Sequence, residues 1–341
     1  MVQDERFFEH QTGMLHPESP DRLKAVYRMV DQFPAPLIHM APEAASLAQL
    51  ELFHSSAYIQ MVLKTADREF TYLAPDTPAG RNSYMAAALA AGGCIKGLDH
   101  LFSGACSSCF ALIRPPGHHA MPDRATGFCI FNNLGIAAAY ALAYGAVGRI
   151  LIVDWDIHHG QGLQEFFYRD RRVLYLSSHY IQSYPQTGGW EETGEGGGKG
   201  YTINIPLKKG MVDADMIDLY DAVLPPVIER FQPELILVAA GFDGHRDDPM
   251  SRTSLTDKAF GCITQRLIES AARQDGIPIL LSLEGGYDPR ALSASVRAVL
   301  MALCGQGAEL TCTPEHTRTG EELMEKLKKV HAGLPPGFFD R

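Results

Sequence analysis

The sequence has no block of lysine or arginine and no uninterrupted apolar stretch long enough to span a bilayer. With 30 basic against 40 acidic residues and a net charge of −10, it lacks the electrostatic footprint of a protein that binds nucleic acid or an anionic membrane. A basic substrate would be tolerated or mildly attracted. The start, Met1-Val-Gln-Asp-Glu-Arg6, is too charged to be expected to act as a signal peptide. Cysteine is sparse and odd in number, seven in all, and Cys94, Cys262 and Cys304 lie inside apolar runs. That argues against a disulfide framework and for a reducing, cytoplasmic setting. Cys106-Ser-Ser-Cys109 has redox spacing but leads into the run Cys109 to Ile113 instead of opening a helix, which argues against a working dithiol. No internal repeat and no linker divides the 341 residues, so a single domain, 1–341, is expected.

What is present is an alternation of strands and helices. Helical spacing covers Asp21 to Val30 and Ser56 to Ala66, with a turn-rich loop at Pro75 to Pro78 and a close-packed Ala/Gly helix from Ser83 to Gly97. Short apolar runs of strand length lie at Cys109–Ile113, Ile150–Val153, Val173–Ser177, Leu235–Ala239 and Ile279–Leu283. Between and after them the pattern predicts helices at Asn132–Tyr144, Gly162–Tyr168, Thr256–Arg273 and Pro289–Leu303. This order implies βαβ units and an α/β fold with a mostly parallel sheet. The segment Gly188 to Gly200 fails as a Walker A loop, which needs Gly at 193 and Ser or Thr at 200 where the chain has Thr193 and Gly200; it reads as a flexible surface loop. Gly320 to Val330 reads as an amphipathic helix, and residues 332–341 as a loosely held tail.

The chain is organised around Ile150-Leu-Ile-Val-Asp154-Trp-Asp156-Ile-His158-His159-Gly160-Gln161. Side chains alternate along an extended segment, so Asp154, Asp156 and His158 can project together where the strand ends. In open α/β sheets that is where ligands bind. Three other strands end in reactive residues: His118 and His119, Asp243, and Glu284-Gly-Gly-Tyr287. Asp156, His158 and Asp243 supply three metal ligands and leave coordination open, as a catalytic zinc site does; iron(II) or cobalt(II) also suits such an oxygen-rich set. With two histidines for acid–base work and Tyr287 as an oxyanion donor, the set specifies metal-assisted hydrolysis of an amide or ester.

Arg114-Pro-Pro-Gly-His-His-Ala120, Gly127-Phe-Cys-Ile-Phe-Asn-Asn133, Asp154-Trp-Asp-Ile-His-His-Gly160, Gly241-Phe-Asp-Gly-His-Arg-Asp-Asp-Pro249 and Leu283-Glu-Gly-Gly-Tyr287 resemble, in order, the signatures of the zinc-dependent histone deacetylase family. His16-Pro-Glu18 and the Asp154-Trp-Asp156 variant resemble its class II and bacterial members, and the resemblance covers about Gly13 to Leu303. It implies the arginase/deacetylase α/β fold, with the active site at the strand carboxyl ends. By resemblance Asp156, His158 and Asp243 would hold zinc, Tyr287 would serve the oxyanion, His119 would be the general base and His118 its electrostatic partner, held by Asp154. Gly127, Phe128, Tyr184, Met250, Gly285 and Gly286 would line the pocket for an acyl-lysine-like chain, and Asp76 would grip the substrate backbone at the rim. An inner potassium ion would sit against Asp154, Asp156, His158, Ser177 and Ser178, and an outer one against Phe167, Asp170, Val173 and Tyr201. Where relatives usually carry Asp or Asn after His-His-Gly, this chain has Gln161, a departure that bears on the tuning of His119.

The resemblance implies an enzyme that removes an acyl group from the amine of a lysine-like substrate. An acetylpolyamine amidohydrolase shares the catalytic set, although no long insertion resembles the loop that narrows the mouth in those enzymes. Relatives of the acetoin-utilisation type, of unclear substrate, also share it. A catalytically silent acyl-lysine binding module would not need the oxyanion donor. An arginase-like dimanganese site would need further Asp clusters that the sequence does not contain. Oligomeric state, acyl length and physiological substrate are not written in these motifs.

Overall fold

The structure is a computed structural model that describes residues 1–145, 147–307 and 315–340. Its centre is a six-stranded sheet built from β3 (Ser108–Ala111), β4 (Ile150–Asp154), β5 (Val173–His179), β6 (Thr202–Pro206), β7 (Leu235–Ala240) and β8 (Ile279–Leu283). The strand order is β3-β8-β7-β4-β5-β6, and every pairing is parallel. Strands β4, β5, β6, β7 and β8 are buried at every position, which is why β4, β5, β7 and β8 read as apolar runs without polar alternation. A small antiparallel hairpin, β1 (Thr71–Ala74) and β2 (Thr77–Ala79), stands apart.

The helices are α1 (Pro20–Val30), α2 (Leu47–Leu50), α3 (Ser56–Leu63), α4 (Ser83–Phe102), α5 (Asn133–Tyr144), α6 (Gln161–Phe167), α7 (Asp213–Phe231), α8 (Asp257–Ala272), α9 (Pro289–Leu303) and α10 (Arg318–His331). No described helix is long and apolar enough to cross a membrane. From β4 the chain steps outward through β5 and β6, then returns to the other side of β4 as β7 and continues to β8. The order therefore reverses between β4 and β7, and the crevice at their carboxyl ends is the expected place for a ligand.

Several expectations change. The loop at Pro75 to Pro78 is the turn and second strand of the β1–β2 hairpin. Helix α7 escaped the pattern because it contains Pro225 and Pro226, which cannot donate to the preceding turn and normally argue against a helix interior. Strand β6 escaped because its five residues, Thr-Ile-Asn-Ile-Pro, carry two polar groups and a proline. The Gly188 to Gly200 segment is not a loose surface loop. Glu192 accepts hydrogen bonds from the Gly188 and Gly189 amides and from Gln164, and Thr193 is buried. The segment 332–340 is anchored as well: Phe338 is 2% exposed and packs near Tyr201 and Phe231, while Arg230 donates to the carbonyls of Gly337 and Asp340. Aromatic burial outweighs the loosening effect of its Pro and Gly. Cys262 is disulfide-bonded, against the reading from composition, while Cys94, Cys106, Cys109, Cys129 and Cys304 are free.

Candidate metal and catalytic site

The two strands flanking the reversal bring three donors together. Beyond β4 come Asp156 and His158; beyond β7 comes Asp243. Their ligand atoms lie within 4.8 Å of one another. His158 Nδ1 is 2.8 Å from Asp243 Oδ2 and 3.2 Å from Asp156 Oδ1. The carboxylates are aimed by backbone amides: Ile157 donates to Asp243 at 3.0 Å, His158 to Asp156 at 2.9 Å, and Gly285 to Asp156 at 2.8 Å. Glycine is required around them. A Cβ on Gly241 would lie 2.0 Å from Asp156 Oδ2, and one on Gly285 would lie 2.4 Å from Asp243 Oδ2.

Electrostatically the cluster calls for a cation. Burial alone would lower the His158 pKa, but the Asp243 and Asp156 carboxylates push it up to about 10. Burial and the Asp156 charge push Asp243 up to about 7. A proton on His158 thus stands where a dication would balance the same charge, and the donor set of two carboxylates and one imidazole fits zinc.

The tandem histidines face this cluster from beyond β3, with ring centroids 3.9 Å apart. Their environments push them in opposite directions. His118 Nδ1 lies 3.1 Å from Asp154 Oδ2; burial opposes its charge, but Asp154 and Asp156 raise its pKa to about 10. His119 is held well below the usual imidazole range by burial and by the neighbouring His118 and His158. Its Nδ1 is 2.6 Å from Gln161 Oε1. Because that amide oxygen only accepts, neutral His119 carries its proton on Nδ1 and presents an unprotonated Nε2. Pairs of titratable groups driven apart in this way mark acid–base assignments.

Tyr287 follows β8 and sits beside this assembly, its ring 5.7 Å from Phe128. Burial and the Asp243 charge keep its phenol protonated and able to donate. Gly127 and Phe128 both have positive φ, and a Cβ on Gly127 would lie 2.3 Å from the His119 ring, so this turn passes flush against the base. The Tyr184 ring stands 5.0 Å from that of His119, at right angles, and its hydroxyl meets Thr126. Phe128, Tyr184 and Tyr287 are therefore brought together. The Asp76 carboxylate accepts from the Gly127 amide at 3.1 Å and the Thr77 hydroxyl at 2.9 Å, bracing the turn. The Met250 amide donates to Asp248 at 2.9 Å, which ties it to the loop holding Tyr287. The Gly286 carbonyl, at a residue with φ of 120°, accepts from Arg22.

For the potassium positions, the Ser177 hydroxyl pairs with His179 and that of Ser178 with Tyr220, each at 2.9 Å. At the outer position the Phe167, Asp170 and Tyr201 carbonyls already accept from Asp170, Val173 and Tyr175 amides.

Four groups of residues that the sequence reading gave no role support this site. The Tyr175 hydroxyl donates to Asp154 at 2.9 Å. Glu284 accepts from the Gly117 and His118 amides at 2.6 and 3.1 Å, fixing the histidine turn. Asp248 accepts from the Tyr287 and Asp288 amides at 2.5 and 3.2 Å. Beneath Tyr287 the guanidinium of Arg22 lies 4.7 Å from the ring centroid and is tied to Glu18, which also binds Arg114. Glu18, Glu284 and Asp248 lie inside motifs already noted, and for Glu284 the available signal was a lone charge in an otherwise apolar and Gly-rich motif.

Known proteins agree with this geometry. A profile of the histone deacetylase domain matches residues 16–303. Histone deacetylase 15 of Arabidopsis thaliana is 38% identical over 317 residues, covering 90% of this chain and 56% of that protein. A probable deacetylase of Archaeoglobus fulgidus is 35% identical, covering 93% of this chain and 89% of the relative. A histone deacetylase-like amidohydrolase of Pseudomonas aeruginosa is 35% identical over 85% of this chain and 77% of its own. The crystal structure of the HDA15 HD domain superposes with a TM-score of 0.90 at 34% identity, covering 97% of this chain and 93% of that one. The chain spans about half the length of the plant relative, so what the remainder of that protein adds does not carry over. With the arginase/deacetylase arrangement of the sheet, the ordered motifs and these matches in agreement, the chain belongs to the histone deacetylase family of hydrolases.

Proposed function

We propose that this protein is a zinc-dependent hydrolase that removes an acyl group, acetyl in the simplest case, from the amine of a lysine-like substrate. The observation that carries the reading is the opposite charge preference of His118 and His119 beside a three-donor cradle. Asp156, His158 and Asp243 would hold the ion; when bound, zinc supplies Lewis acidity toward the acyl carbonyl and acidifies water, work that iron(II) or cobalt(II) can also do. Neutral His119 takes the proton of the attacking water at Nε2 and returns it to the departing amine. Gln161 fixes the tautomer that makes this possible. His118, paired with Asp154, supplies positive charge next to the reacting atoms. Tyr287 donates its hydroxyl proton to the carbonyl oxygen as that oxygen gains negative charge. Gly127, Phe128, Tyr184, Gly285 and Gly286 bound the space for the aliphatic chain. Potassium would serve a structural role at the inner and outer positions, and the activity would be cytoplasmic.

An acylated lysine in a peptide or protein is favoured over an acetylated polyamine, because no long insertion narrows the mouth. A panel of acyl-lysine peptides and acetylated polyamines, assayed on zinc-loaded protein, tests this. Peptides should be hydrolysed with kcat/KM at least about tenfold above polyamines, the order of one well-placed contact. The reverse ratio would assign a polyamine enzyme, and hydrolysis of neither would remove the deacylase reading.

A further inference from the structure

The pole of the sheet opposite the catalytic site carries a second polar cleft, of about 390 Å³. Its lining includes Arg149, Arg171, Arg172 and Arg230, the Tyr201 ring and Pro336, and no carboxylate. The arginines come from segments that each precede a strand: Arg149 enters β4, Arg171 and Arg172 enter β5, and Arg230 lies in the last turn of α7 before β7. All four are therefore gathered at the amino ends of the strands, while His118, Asp156, Asp243 and Tyr287 lie at the carboxyl ends. A five-residue strand separates the poles by roughly 17 Å.

Three of the guanidinium groups are held in place by the fold. Arg149 Nε donates to the Gln232 carbonyl at 2.7 Å, with Nη2 3.3 Å from Glu234. Arg172 grips Asp170 through Nε and Nη2, at 3.0 and 2.6 Å. Arg230 is fixed by the carbonyls of Gly337 and Asp340, so the C-terminal segment forms a wall of the cleft. Among the described residues, Nη1 of Arg149 and of Arg172 has no partner, and the exposed Arg171 guanidinium has none. The carboxylates of Glu234 and Asp170 offset two of the four charges. An excess of two positive charges remains in a chain whose net charge is −10.

We propose that this cleft binds a small anion carrying two or more phosphate groups, between pyrophosphate and a nucleoside triphosphate in size. Planar guanidiniums match phosphate oxygens two at a time, and groups already held by the fold lose little freedom on binding. Arginines from three separate segments around a cleft of about 390 Å³ leave more room than one phosphate fills. The Tyr201 ring offers an apolar surface to any organic portion of the ligand. This inference is independent of the acyl substrate.

The test is calorimetric titration of the zinc-loaded full chain with pyrophosphate, tripolyphosphate and ATP, with orthophosphate for comparison, all at one ionic strength near 0.15 M to hold screening constant. One saturable site per chain is expected, tighter for tripolyphosphate than for orthophosphate. Arg171→Ala and Arg171→Glu should weaken binding at least about tenfold, the scale of one charge-assisted bond. Arg28→Ala, an exposed arginine on α1, should leave binding unchanged. Thermal melts without ligand should match wild type for the Arg171 variants, since this side chain has no partner to lose. Binding that persists undiminished in Arg171→Glu would belong to the metal centre or to diffuse charge and would overturn the proposal. Absence of saturable binding, or equal affinity for orthophosphate and tripolyphosphate, would also overturn it.

Discussion

Two buried ionic clusters lie close together in this fold, and they differ in the sign of the charge left over. In the first, Glu18 is flanked by Arg22 and Arg114, whose remaining donors reach the carbonyls of Glu284, Gly286, Phe7 and His10. Burial opposes ionisation of Glu18, but the arginines outweigh it and hold its carboxyl at about 2. Neighbouring His10, pushed down to about 3 by burial and Arg114, stays neutral at ordinary pH although it lies 3.7 Å from Glu18. In the second cluster, Asp154, Asp156 and Asp243 gather around His118 and His158, and the acids outnumber the bases. The first cluster carries an excess of one positive charge, and backbone carbonyls of the chain take up its remaining donors. The second has an excess of carboxylates that a cation from outside would balance, and that negative excess distinguishes a candidate metal site from a structural salt bridge when both are buried.

The largest expected effect is on the Glu18 cluster. Glu18→Gln leaves two buried guanidiniums without their carboxylate and should cost about 3–5 kcal/mol of stability at pH 7. Because the folded-state pKa of Glu18 is lowered to about 2 from 4.5, its contribution is present in full above pH 4.5 and is lost as the pH falls toward 2. Urea unfolding of wild type and variant at pH 7 and pH 3.5 measures this. A stability difference that does not shrink at the lower pH would remove ionised Glu18 as the source. Tyr287→Phe comes next, at the junction of the clusters, where its ring covers Arg22. It should lower kcat about 100-fold with KM largely kept, as loss of an oxyanion donor does. Unchanged kcat would exclude that role.

The smallest effect sharpens the contrast inside the second cluster. His118 has a carboxylate partner, whereas His119 has neutral Gln161. Gln161→Asp supplies His119 with a negative charge, so protonated His119 becomes easier to form. The acidic limb of the kcat/KM profile should then move upward by roughly half a unit to two units. The limb belongs to the coupled set of histidines and bound ion, so zinc content must be matched between the proteins. Coincident limbs at equal zinc content would show that position 161 does not tune the base.

Much of this was legible in the chain because its signals are local. Strands β4, β7 and β8 declare themselves as apolar runs, and Asp154, Asp156 and His158 declare themselves by alternation at a strand end. What escaped depends on partners distant in sequence. Tyr175 reads as one more apolar strand residue until its hydroxyl is seen on Asp154. Asp248 reads as a loop charge until the Tyr287 amide is placed on it. The bracing of Gly127 by Asp76 escaped because no pattern within residues 71–79 reports what stands across the channel. In the tail, Phe338 carried the anchoring signal, outweighed in the reading by Pro and Gly on either side.

The central claim, that the carboxylate-rich cluster is a metal site and the arginine-rich one is not, is tested most directly by zinc content measured alongside activity. Elemental analysis should find one zinc per chain in the wild type and in Glu18→Gln, and none in Asp243→Ala. Chelation should abolish acyl-lysine hydrolysis, with zinc or cobalt restoring it. Full activity in metal-stripped wild type, or a full complement of zinc in Asp243→Ala, would contradict the account.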